Sequence, residues 1–311
     1  MKNSISKTAV AAGAAASVGS NAALADQMPG AEPEWFLSLE GGVLFADPAI
    51  DKGGLPMSPG SGLTFNDFDK DFGYRGAAAF GKKFDDNLDW RLGVAYSNFV
   101  KNNASLSFIT SGSGSGSGSG SFDGTADADF SYLTGDLELG YNVRPGDDFD
   151  LRVFGGLRIL NSHDSQDKFG EFDVGSSGGA FQFGADSEFI GAGPRVGLDF
   201  SSRLGEGNFG FSGMIATALL YGDLKQKTEY VGTGLGSSIP DYSETFHDDE
   251  IIFNLEAAFG ADFHIGDNAL LTVGYRGEYW NDVRFSDKIG GSGETPDTLS
   301  HGPFVRFIAK F

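Results

Sequence analysis

The sequence contains no cysteine, no long apolar run after its first 25 residues, and few basic residues for its acid content. The absence of cysteine excludes a disulfide scaffold and a thiol nucleophile. Without a run of about 18 apolar residues, the chain cannot cross a membrane as a helix. With 22 Lys and Arg against 43 Asp and Glu, the formal net charge is −21. Such a charge repels phosphates, which excludes nucleic acid as a partner.

Glycine and aromatic residues are present in excess. The 311 residues include 48 Gly and 29 Phe, and aromatics reach 13% although the mean hydropathy is −0.17. Without cysteine and without helical runs, this combination is typical of an all-β protein that presents an apolar surface to lipid. A soluble β-sandwich of similar composition is the alternative.

The first 25 residues have the order of a secretory signal peptide. Two lysines precede an Ala-rich stretch, and Ala23-Leu24-Ala25 supplies the small-x-small pattern of a cleavage site. Residues 1–25 are therefore predicted to be a signal peptide, and residues 26–311 to form one domain of an exported protein.

Ten segments alternate between apolar residues and small or charged residues with a period of two. In the first segment, Leu37 and Leu39 alternate with Ser38 and Glu40. Each segment predicts a β-strand with one apolar face. The segments cover residues 34–46, 72–84, 88–99, 132–143, 150–160, 189–200, 209–222, 251–265, 270–280 and 301–311. Strands of this length cross a bilayer when tilted, so the pattern predicts a transmembrane antiparallel up-and-down β-barrel of about ten strands.

The connections between these segments alternate in length. The short connections carry turn residues and lie at 84–88, 144–149, 204–208 and 265–269. The long connections cover 47–71, 101–129, 161–187, 223–250 and 282–298. Short periplasmic turns and long extracellular loops are the layout of an outer-membrane barrel. Twelve strands remain the alternative, since 47–71 or 161–187 has room for a further hairpin.

Two further features favour a barrel over a sandwich. The apolar face is aromatic near the strand ends, as the girdles at membrane interfaces are; examples are Trp35, Trp90, Tyr141 and Tyr279. The opposite face is crowded with Gly and Ala and punctuated by charges of both signs, unlike a solvated surface.

The last predicted strand runs to the final residue of the sequence. Phe307 and Phe311 alternate with Arg306 and Lys310. A closed barrel has no sheet edge, so this strand is expected to pair with the first one. The row resembles the C-terminal assembly signal of bacterial outer-membrane proteins, which the barrel-assembly machinery reads, with Phe311 as its terminal aromatic.

Several stretches resemble the Legionella-type major outer membrane protein family. They are "FIGAGPRVGLDF" (Gly191, Gly193, Pro194, Arg195, Gly197, Asp199), "FSGMIATALLYGD", "HGPFVRFIAKF" and "FGGLRIL". The resemblance covers most of the second half of the chain and is loose in the first. It implies an integral protein of the bacterial outer membrane that forms a pore, and it supplies no catalytic residues. Pro194 and Pro303 lie inside predicted strands, where β-bulges or later strand starts would accommodate their missing N–H groups.

The charged residues of the inward face are the candidate functional site. As pore-lining residues we predict Glu40, Arg75, Arg91, Asp136, Glu138, Arg152, Arg158, Arg195, Asp199, Glu256, Arg276, Glu278 and Arg306. Asp89 and Asp262 lie on the same face. We predict a porin-like outer-membrane protein that allows passive diffusion of ions or small solutes, with these charges forming a constriction that selects ions. The alternative is a closed structural or adhesive surface barrel, in which the charges pair with one another. A ten-stranded lumen lies between the filled and the open kinds of barrel, so both interpretations stand.

Other candidate chemistry is weaker. Acid and histidine runs in the long connections are the only basis for a protease at the barrel rim or for a metal site; they are His163-Asp164 and His247-Asp248-Asp249-Glu250. We therefore expect no enzyme activity, no metal and no cofactor. The Ser/Gly tract at 111–121 is a flexible segment at a loop tip. The expected partners are outer-membrane lipid, lipopolysaccharide and the assembly machinery, and a homo-oligomer remains open.

Overall fold

Alternating residues produce ten β-strands in the part of the chain that the structure describes. The computed structural model describes residues 35–46, 71–84, 87–111, 119–146, 149–174, 177–205, 207–234, 237–266, 268–281 and 297–311. The strands are β1 (Trp35–Ala46), β2 (Asp71–Lys83), β3 (Leu88–Ser111), β4 (Ser119–Gly146), β5 (Phe149–Val174), β6 (Ser177–Arg203), β7 (Phe209–Gly234), β8 (Ser237–Ile265), β9 (Ala269–Trp280) and β10 (Thr298–Lys310). Within these ranges no helix has the length and apolar character needed to span a membrane.

The ten strands form a closed antiparallel barrel. Each strand pairs with its neighbours in sequence, and β1 pairs with β10. At this closure, the backbone N–H groups of Trp35 and Phe311 each donate to the other residue's carbonyl oxygen at 3.0 Å. The prediction of ten strands is confirmed, and twelve is wrong for the barrel, because the segment 161–187 belongs to β5 and β6. Residues 47–70 and the predicted signal peptide lie outside the described residues.

The two faces of each strand have the predicted character. Apolar side chains point outward and remain exposed in the isolated chain, as Leu137 and Leu157 illustrate at 48% and 57% exposure. The alternate positions, such as Glu138 and Arg158, point inward and are buried. An apolar outer surface around a polar interior is the arrangement that a barrel in lipid requires.

Three of the predicted long loops are not loops. Strand pairing continues through 101–111 and 119–129, through 161–174 and 177–187, and through 223–234 and 237–250, so β3 to β8 are 24 to 29 residues long. The alternation of apolar residues ends before these extensions. Strand positions need an apolar side chain only where they face lipid, so a strand can continue beyond the membrane without that pattern. In water, polar side chains are tolerated on both faces while the backbone groups still satisfy one another. Residues 282–296 lie outside the described ranges.

The wall of the barrel is therefore uneven in height. At the end that carries the three long hairpins, β3 to β8 extend far beyond the ends of β1, β2, β9 and β10. The predicted short connections are confirmed at the opposite end. Gly205 and Gly266 lie in two of these turns with φ of 62° and 66°, a backbone region that glycine adopts without strain.

Both prolines lie within continuous strands, and the expected bulges are absent there. The register of β6 with β7 is the same on both sides of Pro194, and that of β10 with β1 is the same on both sides of Pro303. Each proline follows a glycine that lies against the neighbouring strand: a Cβ on Gly193 or on Gly302 would come within 1.9 Å of a carbonyl oxygen. Glycine permits this close approach of the backbones where the proline donates no hydrogen bond.

Candidate functional site

The predicted inward-facing residues come together inside the barrel. All thirteen are buried. Of the two further acids that sequence reasoning placed on the same face, Asp89 lies among them, whereas Asp262 is buried and instead accepts hydrogen bonds from Ser212 and Thr272. We call this set the ionic network. It comprises seven arginines (Arg75, Arg91, Arg152, Arg158, Arg195, Arg276, Arg306) and seven acids (Glu40, Asp89, Asp136, Glu138, Asp199, Glu256, Glu278). The network is thus balanced in formal charge.

Glu138 on β4 is one centre of the network. The guanidinium groups of Arg152 and Arg195 donate to its two carboxylate oxygens at 3.2 Å each, and Arg91 lies 3.6 Å away. These arginines come from β5, β6 and β3, so the carboxylate gathers charges from three other strands. A buried carboxylate needs this degree of pairing to remain ionised.

Arg152 has the most extensive set of partners. It donates from Nε and Nη2 to Asp89 at 2.7 to 3.1 Å, and from Nη1 to Glu138 at 3.2 Å and Asp199 at 3.0 Å. A planar guanidinium can hold several carboxylates at once in a fixed geometry. Arg152 thereby connects acids of β3, β4 and β6.

Other members of the network connect strands that are not neighbours. Arg158 on β5 holds Asp136 in a bidentate pair at 2.7 Å and also pairs with Glu256 on β8, three strands away. Arg75 on β2 lies 3.0 Å from Glu278 on β9, again three strands away. Because two other strands lie between the partners in the wall, the side chains of each pair meet inside the barrel.

The widest connection links opposite walls. The hydroxyl of Tyr132 on β4 donates to Glu278 on β9 at 2.8 Å, and five strand-to-strand steps separate β4 from β9 around a ten-stranded ring. A single hydrogen bond therefore spans the lumen. Nearby, Glu40 receives Arg306 at 2.5 Å and Arg276 at 3.1 Å.

Aromatic rings inside the lumen pack against several of the arginines. Phe154 lies under Arg152 and Arg195, with guanidinium-to-ring distances of 4.9 and 5.2 Å, and Phe304 lies under Arg306 at 4.8 Å. Cation–π contacts of this kind add to the pairing of desolvated arginines. Sequence reasoning missed these rings as site residues. The signal was available, since Phe154 and Phe304 occupy the otherwise small or charged register of their strands.

An apolar layer lies next to the ionic network, on the side of the long hairpins. It was also missed, because its members occupy the inward register, where small or charged residues were expected. Its members are Leu44, Ala46, Phe99, Phe130, Tyr132, Leu160, Phe189, Ala218, Leu220, Leu224, Ile252 and Trp280. Trp280 is fully buried, and its ring contacts that of Tyr132 at 5.6 Å between centroids. The lumen therefore contains two stacked layers of side chains, one charged and one apolar.

Some polar atoms of the ionic network make no hydrogen bond within the described residues. All three guanidinium nitrogens of Arg91 are in this state, as are Nε and Nη1 of Arg276. Arg91 makes longer ion pairs of 3.6 Å with Glu138 and Asp199 and lies 5.8 Å from the ring of Phe36. The network is thus neutral as a whole but unevenly hydrogen-bonded.

The histidines considered for a rim protease do not come together. His163 points outward, 3.9 Å from Glu188, whereas the adjacent Asp164 is buried inward. His247 lies 3.9 Å from Asp223, and the pairing order places β6 and β7 between the two histidines. Among the described residues, no cluster of three or more potential metal ligands occurs.

A closed antiparallel barrel with an apolar outer surface and a charged interior defines the class of integral outer-membrane β-barrels. The family model described as Legionella pneumophila major outer membrane protein precursor matches residues 38–310. The chain belongs to this family, as its sequence motifs indicated, and it is an integral protein of the bacterial outer membrane. No curated protein matches the chain.

Several solved structures show a distant likeness to the chain. The outer membrane protease OmpT from Escherichia coli is 10% identical, with 92% of this chain and 100% of that chain covered and a TM-score of 0.46. The Ralstonia pickettii toluene transporter TbuX is 8% identical over 96% and 95% of the two chains, with a TM-score of 0.25. A Pseudomonas aeruginosa FadL homologue is 10% identical over 90% of each, with a TM-score of 0.27. Such distant likenesses carry no information about activity.

Proposed function

We propose that the protein is a narrow outer-membrane barrel whose lumen is closed at rest, and that its role is structural or adhesive at the cell surface. The observation that carries this proposal is the hydrogen bond of Tyr132 to Glu278, which joins opposite walls at 2.8 Å. Around it, seven arginines and seven acids are buried against one another. A solute that diffuses through the lumen would have to separate these buried pairs, which occupy the space between the walls.

Three long hairpins support the surface role. β3 to β8 are much longer than the about 9–11 residues that a strand needs to cross a bilayer. Backbone pairing extends along these hairpins, and elements ordered in this way present side chains to a partner at low entropic cost. The proposal includes no enzyme activity, and the two histidines considered for a rim protease lie on strands that β6 and β7 separate.

A pore is the second candidate function, and the incompletely hydrogen-bonded Arg91 and Arg276 favour it. Polar atoms in this state are suited to contact with water, and a voltage or a ligand that rearranges the ionic network would open a hydrated path between the arginines. Under this candidate, replacing Arg195 or Arg306 by Glu shifts the selectivity of the open channel toward cations.

Conductance in a planar lipid bilayer separates the two candidates. For the closed barrel we expect no discrete current steps from the wild-type protein over the usual range of voltages, and no leakage of small solutes from loaded liposomes. The variant Tyr132→Phe with Glu278→Gln, which removes the connection between opposite walls, should conduct. Steady channels from the wild-type protein would overturn the closed barrel in favour of the pore. A silent double variant, shown to be folded by its heat-modifiable migration on a gel, would contradict the role given to this connection.

A further inference from the structure

A histidine on the lipid-facing surface has no role in the barrel interior. His301 lies in the outward row of β10, where Phe45 of β1 and Gly277 of β9 are its register partners. It is three residues from the first residue of β10, close to the level at which β1 and β9 also end. With the long hairpins outside the cell, this level is the headgroup region of the outer leaflet.

The imidazole of His301 is held in place by aromatic side chains. Its Nδ1 lies 2.6 Å from the hydroxyl of Tyr275, and the two rings stack with centroids 5.8 Å apart. On the other side, the ring of Phe45 lies at 6.2 Å and packs in turn against Phe72 at 5.9 Å. When the phenol donates to Nδ1, the proton of the neutral imidazole is on Nε2. The aromatic contacts then hold an N–H donor at the membrane surface.

The surroundings of His301 differ from those of the outward-facing histidines on the extended hairpins of β5 and β8. His163 and His247 each lie 3.9 Å from a carboxylate, that of Glu188 and that of Asp223. Beside His301, the outward register positions carry aromatic, aliphatic or glycine residues. Asp297, the described residue just before β10, is exposed, and its carboxylate accepts a 2.5 Å hydrogen bond from Tyr279. Among the described outward-facing register neighbours of His301, none carries a carboxylate that would repel an anionic group.

We propose that His301 and Tyr275 form a binding site for a phosphate group of an outer-leaflet glycolipid of the lipid A class. An imidazole N–H donates to phosphate, and the hydrogen bond is strengthened by the charge of the acceptor. Phe45 and Phe72 lie beside His301 at the same end of the barrel and would pack against the lipid, as aromatic residues of a membrane interface do. The site rests on the orientation of the barrel in the outer membrane, and it holds whether or not the lumen conducts.

The binding test uses the full-length barrel purified in detergent, with two probes. One probe is lipid A that carries its phosphates, and the other is the same lipid after enzymatic dephosphorylation. We expect the wild-type protein to bind the phosphorylated lipid about tenfold more tightly than the dephosphorylated one, as follows from a hydrogen bond to a charged group. The variant His301→Phe, which keeps an aromatic ring, should lose this preference, and Tyr275→Phe should reduce it several-fold.

Two matched variants elsewhere on the outer surface provide the controls. Tyr221→Phe removes a hydroxyl that donates to Asp249, and His163→Phe removes an outward-facing imidazole beside a carboxylate, so both should retain the wild-type preference. An equal affinity of the wild type for the two lipids would overturn the proposal, as would an unchanged preference in His301→Phe. An equal loss of both lipids in His301→Phe would indicate packing against sugar or acyl chains, which also overturns a phosphate site. Should His301→Phe fail to fold, Tyr275→Phe and the wild-type comparison still decide the matter.

Discussion

The variant Arg152→Met tests whether the ionic network holds the barrel together. Methionine keeps most of the volume of the arginine stem but removes the guanidinium. In the wild type this group is fully buried and donates to Asp89, Glu138 and Asp199 at 2.7 to 3.2 Å. Without it, Asp89 keeps the amide of Asn142 at 3.2 Å.

The size of the effect follows from this loss. Removing one partner from a buried ion pair costs about 3–5 kcal/mol, because the remaining charge stays buried without compensation. Arg91 is already within 3.6 Å of Glu138 and Asp199, so its movement toward these acids offsets part of the cost. We expect Arg152→Met to lower the free energy of unfolding by about 3 kcal/mol, which is a decrease of roughly 1–2 M in the urea midpoint for m-values of about 2–3 kcal/mol/M.

Urea unfolding of the purified protein in lipid vesicles, followed by tryptophan fluorescence and gel migration, measures this change. Arg203→Met is the matched control, because that arginine lies beside a turn and donates to the carbonyl of Gly207 at 3.2 Å in an exposed position. The control should change the free energy of unfolding by less than about 1 kcal/mol. Adding Asp89→Asn to Arg152→Met should recover part of the loss, since the uncompensated carboxylate is then neutral. The reasoning is refuted if Arg152→Met and Arg203→Met unfold within about 1 kcal/mol of each other.

Two further predictions concern the wall of the barrel. Gly302→Ala should destabilise the fold by roughly 1–3 kcal/mol, since the new Cβ would come within 1.9 Å of the carbonyl oxygen of Val43. Gly41→Ala is the control: no atom lies within 4 Å of its Cβ, so stability should change by less than about 0.5 kcal/mol. Equal urea midpoints for the two variants would contradict this. Deleting Phe311 removes both backbone hydrogen bonds to Trp35 and should reduce the amount of heat-modifiable protein in the outer membrane, and normal insertion would exclude Phe311 as an assembly signal.

The transmembrane part of the fold could be predicted from the sequence because lipid imposes a strict rule on it. Each residue that faces lipid must be apolar, and the period of two places its neighbours in the interior. The inward positions of Arg158 and Glu278 followed from this rule alone. This rule does not apply outside the membrane. The sequence pattern therefore did not predict the strand pairing of Lys225 with His247 or of Asp167 with Gly184.

The state of the lumen could not be predicted, because it depends on distances across the barrel. Alternation shows that Tyr132 and Glu278 face inward, but it contains no information on whether two side chains on opposite walls meet. They do so because ten strands make a ring narrow enough for long side chains to reach across, and because Phe154, Phe304 and Trp280 occupy inward positions that the pattern assigns to small or charged residues. An equal number of arginines and acids is compatible with an ion-selective lining and with a closed plug. The difference lies in whether each charge finds its partner on a neighbouring strand or across the lumen, and in this barrel the pairs of Arg75 and Arg158 cross it.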